Sequence, residues 1–149
     1  NNYIQSGFMP AFFYIMNRIR NNLAKCLCGG IHIEIRGKLR NVSNCHCSQC
    51  MKTHGNFGSY TSCEDKDLFY INKKTLKWFK SSKNAKRGFC TKCGASFFFK
   101  RINSSKISIS AGMLNNPTKI ITEHNIFTQG KLDYYKLDKN LPKYYKYSK

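Results

Sequence analysis

From Cys26 onward the chain alternates short apolar runs with turn-forming residues. Ile31, Ile33 and Ile35 alternate with His32, Glu34 and Arg36, the period of two that puts one face of a strand into a core and the other towards solvent, and Gly37-Lys38 ends the run. Further short runs rich in aromatic and β-branched residues fall at 57–61, 68–71, 76–80, 96–100 and 107–110, separated by clusters of Gly, Asn, Ser and Lys. This pattern predicts a mainly β fold with little helix. Only Ser48 to His54 has the look of a short helix. No internal repeat is visible, and no linker divides the region from Cys26 to Tyr147, so one domain is expected.

The segment 8–16 (FMPAFFYIM) is apolar and is followed by the basic run Asn17-Arg18-Ile19-Arg20. A secretory signal has its charges before the apolar stretch and a small-residue cleavage site after it; here the order is reversed and Pro10 interrupts the run. Residues 1–24 therefore read as an N-terminal extension, flexible or partly helical, and 25–149 as the domain. An amphipathic arm lying on a membrane surface is the functional alternative for the extension. No run of apolar residues is long enough to predict a membrane-spanning helix.

Charge changes this picture only in part. Lys and Arg number 26 against 7 Asp and Glu, a formal charge of +19 in 149 residues, which points to anionic partners. With 41% hydrophobic and 14% aromatic residues the chain still has the material for a core and is no disordered basic tail.

Cysteine spacing carries most of the chemistry. Cys26 and Cys28 form CxC, Cys45, Cys47 and Cys50 form CxCxxC, Cys90 and Cys93 form CxxC, and Cys63 stands apart. Sulfurs two or three residues apart in a turn can aim at one point, whereas a disulfide needs a separation and direction that CxC rarely reaches. Thiolate metal sites in a reducing, cytoplasmic setting are the expected reading. In both Cys26/Cys28 and Cys90/Cys93 a glycine follows the second cysteine, Gly29 and Gly94, where a residue free to take positive φ lets the backbone curl and turn N–H groups to the sulfurs. Four such thiolates suit a closed structural zinc; buried free thiols are the alternative. Cys45, Cys47 and Cys50 have no evident fourth partner, so one coordination position is open to water or a substrate thiol, as in catalytic zinc. Cys63, His46 or His54 could instead close that site. The default for His32 is solvation or a supporting hydrogen bond, and for Cys63 a small buried residue.

These residues resemble the glutathione-dependent formaldehyde-activating enzyme (GFA) family, whose domain also occurs in centromere protein V. The resemblance lies in CLCGG (26–30), NCHCSQCMKTHG (44–55), RGFCTKCGASFFF (87–99), ISISAGMLNNP (107–117) and the tail around NIFTQGK and LPKY, and covers nearly everything after the extension. It implies a β-tent fold of small antiparallel sheets, with a structural zinc on Cys26, Cys28, Cys90 and Cys93 and a catalytic zinc on Cys45, Cys47 and Cys50, two ions per chain. It also implies a carbon-sulfur lyase activity joining glutathione and formaldehyde into S-hydroxymethylglutathione. A cationic wall would help an anionic thiol approach three thiolates, and Lys52, Arg87 and Lys92 are the nearest basic residues along the sequence.

The chain departs from the family pattern in three places. Met51 stands where Arg commonly follows the last ligand, removing a cationic fork for a carboxylate. Asn125 occupies the usual tail His position, with His124 one residue earlier and so on the opposite face of a strand. Tyr134 replaces a tail Trp, leaving Trp78 as the only indole. A competing function is a zinc-stabilised module for nucleic acid, supported by the total charge and by the basic-aromatic runs 73–80 and 143–147.

Overall fold

The computed structural model describes residues 22–148. Its strands are β1 (Asn22–Lys25), β2 (His32–Ile35), β3 (Val42–Cys45), β4 (Gly58–Glu64), β5 (Leu68–Asn72), β6 (Leu76–Ser82), β7 (Ala85–Cys90), β8 (Ser96–Arg101), β9 (Lys106–Ser110) and β10 (Thr122–Ile126), with one α-helix, α1 (Ser48–His54), and short 3-10 turns. The mainly β expectation holds, as do the strands at Ile31 to Ile35, 57–61, 68–71, 76–80, 96–100 and 107–110 and the helix at Ser48–His54. The apolar run 8–16 and the basic residues that follow it lie outside the described residues.

Two sheets form. The small one has the order β1-β2-β5; the large one runs β10-β3-β4-β9-β8-β7-β6, antiparallel throughout except for the parallel β10–β3 pair. The core lies between them. Ile33 and Ile35 of β2 are buried while His32 and Glu34 are only partly so, as their alternation requires. They meet Phe97, Phe98, Ile107 and Ile109 from the large sheet. Full burial of each such side chain stabilises by about 1.5–3 kcal/mol. Trp78 stacks on Phe98, with ring centroids 5.6 Å apart, and the Lys86 ammonium lies 4.6 Å from the indole centroid, so the single Trp is engaged by both.

The opposite face of the large sheet carries the second group of cysteines. Register places Ser43 of β3 beside Tyr60 of β4, Tyr60 beside Ser110 of β9, Phe99 of β8 beside Ser108, and Arg87 of β7 beside Phe99. Because side chains alternate along a strand, Cys45, Tyr60, Ser108, Phe99, Arg101 and Arg87 share this face.

Candidate metal centres and active site

Two groups of thiol sulfurs converge in space, each within 4.8 Å of one another: Cys26, Cys28, Cys90 and Cys93, and Cys45, Cys47 and Cys50. All eight cysteines are free of disulfides. The four-cysteine group ties the sheets together, since Cys26 and Cys28 turn the chain from β1 into β2 and Cys90 and Cys93 turn β7 into β8. Its Cys26–Cys28 and Cys28–Cys90 sulfur separations are 3.7 and 3.5 Å. A tetrahedral zinc with bonds of about 2.3 Å sets its sulfurs roughly 3.8 Å apart, so this donor set fits the ion. Gly29 and Gly94 both have φ of 73°, and the backbone curl directs the Ile31 N–H to Cys26 Sγ at 3.2 Å and the Cys93 N–H to Cys90 Sγ at 3.4 Å. Burial opposes ionisation of Cys90, but the Thr75 hydroxyl and the Cys93 and Lys92 amides more than offset it and bring its pKa down to about 6.

In the second group Cys45 ends β3, Cys47 caps α1 and Cys50 lies in the first turn of that helix. The Cys47 sulfur accepts the Cys50 N–H at 3.4 Å, an N-cap made by a thiol. Hydrogen bonds from Cys45 and Cys50, then from the Cys50 and Gln49 amides, hold the Cys47 thiol far below the usual range. Three cysteine sulfurs that converge in this way suit zinc as donors, and among the described residues no fourth His, Cys, Asp or Glu joins them.

The other candidates fall elsewhere. His46, fully buried, turns away from the cluster: its Nε2 lies 2.9 Å from Asn125 Oδ1 and its Nδ1 2.7 Å from the Tyr135 hydroxyl, and its ring packs on Phe57 and Tyr135. His54 Nε2 lies 2.7 Å from the Tyr60 hydroxyl. Cys63 is buried in the core, where burial first, and then Asp67, Asp65 and Glu64, push its thiol up to about 12. Asn125 thus points inward to His46 while His124 packs edge-on to Tyr144, the opposite facing expected of neighbours on a strand. Tyr135, rather than Tyr134, supplies the tail ring that packs on His46 and is itself half-buried; the Tyr134 hydroxyl binds Asn56 at the surface.

Of the three basic candidates, Lys52 and Lys92 are exposed and Arg87 is buried against the cysteines. Its Nη2 lies 3.7 Å from Cys50 Sγ and 3.3 Å from Gln49 Oε1, and its Nη1 donates to the Tyr60 hydroxyl at 3.2 Å. Burial alone would disfavour the cation; the Cys50 and Tyr60 groups facing it raise its pKa above the ordinary value. Its Nε is buried without a partner. Cys45, Cys47 and Cys50 open onto a cavity of about 920 Å³ whose lining includes Arg40, Arg87 and Arg101 and no Asp or Glu. Arg40 and Arg101 were not singled out along the sequence; sheet register brings Arg101 to the cysteines' face, and hydrogen bonds to Tyr60 O and Ser62 of β4 bring Arg40 from its loop.

A two-sheet β domain with one four-cysteine and one three-cysteine cluster, each able to hold a metal ion, is thereby defined. Residues 21–130 match the family of glutathione-dependent formaldehyde-activating enzymes, and the chain belongs to it. Among solved structures, a Rhodobacter sphaeroides protein from structural genomics is similar in fold, with a TM-score of 0.54 and 23% identity over 65% of this chain and 91% of that one. A search of curated proteins finds no match. Among the described residues no helix is long and apolar enough to cross a membrane.

Proposed function

We propose that the chain is a zinc-dependent enzyme of the carbon-sulfur lyase class that joins a thiol such as glutathione to formaldehyde. The observation that carries this reading is the convergence of Cys45, Cys47 and Cys50, without a fourth protein ligand among the described residues, at the wall of an acid-free cavity. Cys26, Cys28, Cys90 and Cys93 would hold a structural zinc, and Cys45, Cys47 and Cys50 a second one. A zinc held by Cys45, Cys47 and Cys50 would supply Lewis acidity that favours the thiolate form of a substrate thiol. In the addition the substrate sulfur forms a bond to the carbonyl carbon, the carbon-oxygen π pair moves to oxygen, and the proton lost from the thiol ends on that oxygen. The chain's own residues prepare this step. Arg87 offsets the charge of the cysteines and draws an anionic substrate. The cavity walls hold thiol and aldehyde together, removing part of the entropic barrier to a bimolecular reaction. A reducing, cytoplasmic setting accords with eight free thiols.

The test is the rate at which glutathione and 13C-formaldehyde interconvert with their adduct, followed by NMR above the uncatalysed background. The zinc-loaded chain should accelerate it, and Cys47→Ser should abolish the acceleration while the four-cysteine site keeps its metal and the fold stays intact. Background rates with the loaded wild-type chain would overturn the proposal.

A further inference from the structure

The cysteine cluster occupies only one part of the cavity. Arg101 lies two residues beyond Phe99, the cross-strand neighbour of Arg87, on the same face of β8 and so about 7 Å further along the strand. Its guanidinium sits 5.1 Å from the ring centroid of Tyr147, which also lines the cavity. Tyr147 lies outside the 21–130 segment that matches the family. The tail that carries it is fastened down: Phe127 N–H donates to Lys146 O at 2.8 Å, Thr128 N–H to Tyr144 O at 3.2 Å, and the Phe127 and Tyr147 rings meet edge to face at 4.7 Å. A wall of the cavity is therefore built by chain beyond the family segment.

Arg87 is matched by the cysteine cluster it faces, whereas Arg101 has no charged partner among the described residues. The buried Arg87 Nε has no acceptor. A guanidinium held by an aromatic ring, with its donor edge free in an acid-free cavity, is a site for a planar anion. Resting on the proposed thiol chemistry, we infer that Arg101, backed by Tyr147, is a specificity-determining residue that pairs with a carboxylate of the thiol substrate.

S-methylglutathione, which keeps the carboxylates and lacks a free thiol, separates this inference from the chemistry. Calorimetric titration of the metal-loaded full chain should show binding, weakened by added salt. Arg101→Gln should raise its Kd about tenfold or more, the loss expected for one charge-assisted hydrogen bond. Arg101→Lys should lose less, with metal content and urea midpoint unchanged because Arg101 is exposed, and Tyr147→Ala should lose several-fold with metal content unchanged. An unchanged Kd in Arg101→Gln, or no binding by the wild type, overturns the carboxylate site. Arginine-dependent binding without acceleration of formaldehyde addition supports the site and overturns the proposed chemistry; acceleration with an unaltered KM for glutathione in Arg101→Gln does the reverse.

Discussion

Arg87 Nη2 lies 3.7 Å from Cys50 Sγ, and both side chains are buried, so the guanidinium and the cysteine cluster are each other's nearest compensation. Removing one partner of such a pair leaves the other desolvated and unmatched. Arg87→Met is expected to destabilise the fold by about 3 kcal/mol and to let a chelator strip the three-cysteine site faster. Arg87→Lys should fall between, because it keeps the charge and loses the fork that reaches Tyr60, Gln49 and Cys50 together. Urea unfolding and chelator kinetics read the two effects; wild-type values in Arg87→Met would mean that the pair is incidental.

His46 sits between two cysteines of the cluster yet hydrogen-bonds away from it, to Asn125 and Tyr135. Its replacement by Ala should open a cavity and strip both partners of a hydrogen bond, costing about 3 kcal/mol. Zinc content of the folded variant should stay at the wild-type value. Loss of one ion per chain from a folded His46→Ala protein would make the histidine a ligand.

Much of this was written locally. The Ile31 to Ile35 alternation and the aromatic runs announce strands because one face of each is apolar, and CxC, CxCxxC and CxxC announce sulfur clusters because neighbours in a turn must converge. Four strands carry no such signal. β3 (VSNC) and β10 (TEHNI) are polar because β3 faces the cavity and β10 pairs beside it, and β7 (AKRGFC) is a basic run that ends on the first cysteine of the CxxC motif. β1 is four residues long beside the N-terminal segment. The choice of Arg87 over Lys52 and Lys92, and the presence of Arg101 in the cavity, depend on cross-strand register between segments far apart in sequence, and that of Arg40 on loop hydrogen bonds to Tyr60 and Ser62. Spacing along the chain cannot show that.

Cys63 offers a contrast with the other seven thiols. It is 3% exposed, and burial together with Asp67, Asp65 and Glu64 raises its pKa to about 12, so almost no reactive thiolate is present at neutral pH. In the folded, metal-loaded chain an alkylating reagent should leave Cys63 unmodified and label it only in denaturant. Cys63→Ala should keep the full metal content. Rapid labelling of native protein at this position, read by mass spectrometry, would contradict its placement in the core.

Gly29 and Gly94 test how far the metal turns depend on backbone conformation alone. Both have φ of 73°, and a Cβ added at either meets nothing within 4 Å, so no steric contact confuses the result. The left-handed conformation costs an L-residue about 1–2 kcal/mol. Gly29→Ala and Gly94→Ala should each lower stability by that amount, and zinc affinity at the four-cysteine site should fall in step, because the same curl aims N–H groups at Cys26 and Cys90. Gly112 provides the control. It also has open space around its Cβ position but no positive φ, so Gly112→Ala should be neutral or slightly stabilising. Equal effects at all three glycines, measured by unfolding of the zinc-loaded chain, would show that the turn conformation at the four-cysteine cluster contributes nothing of its own.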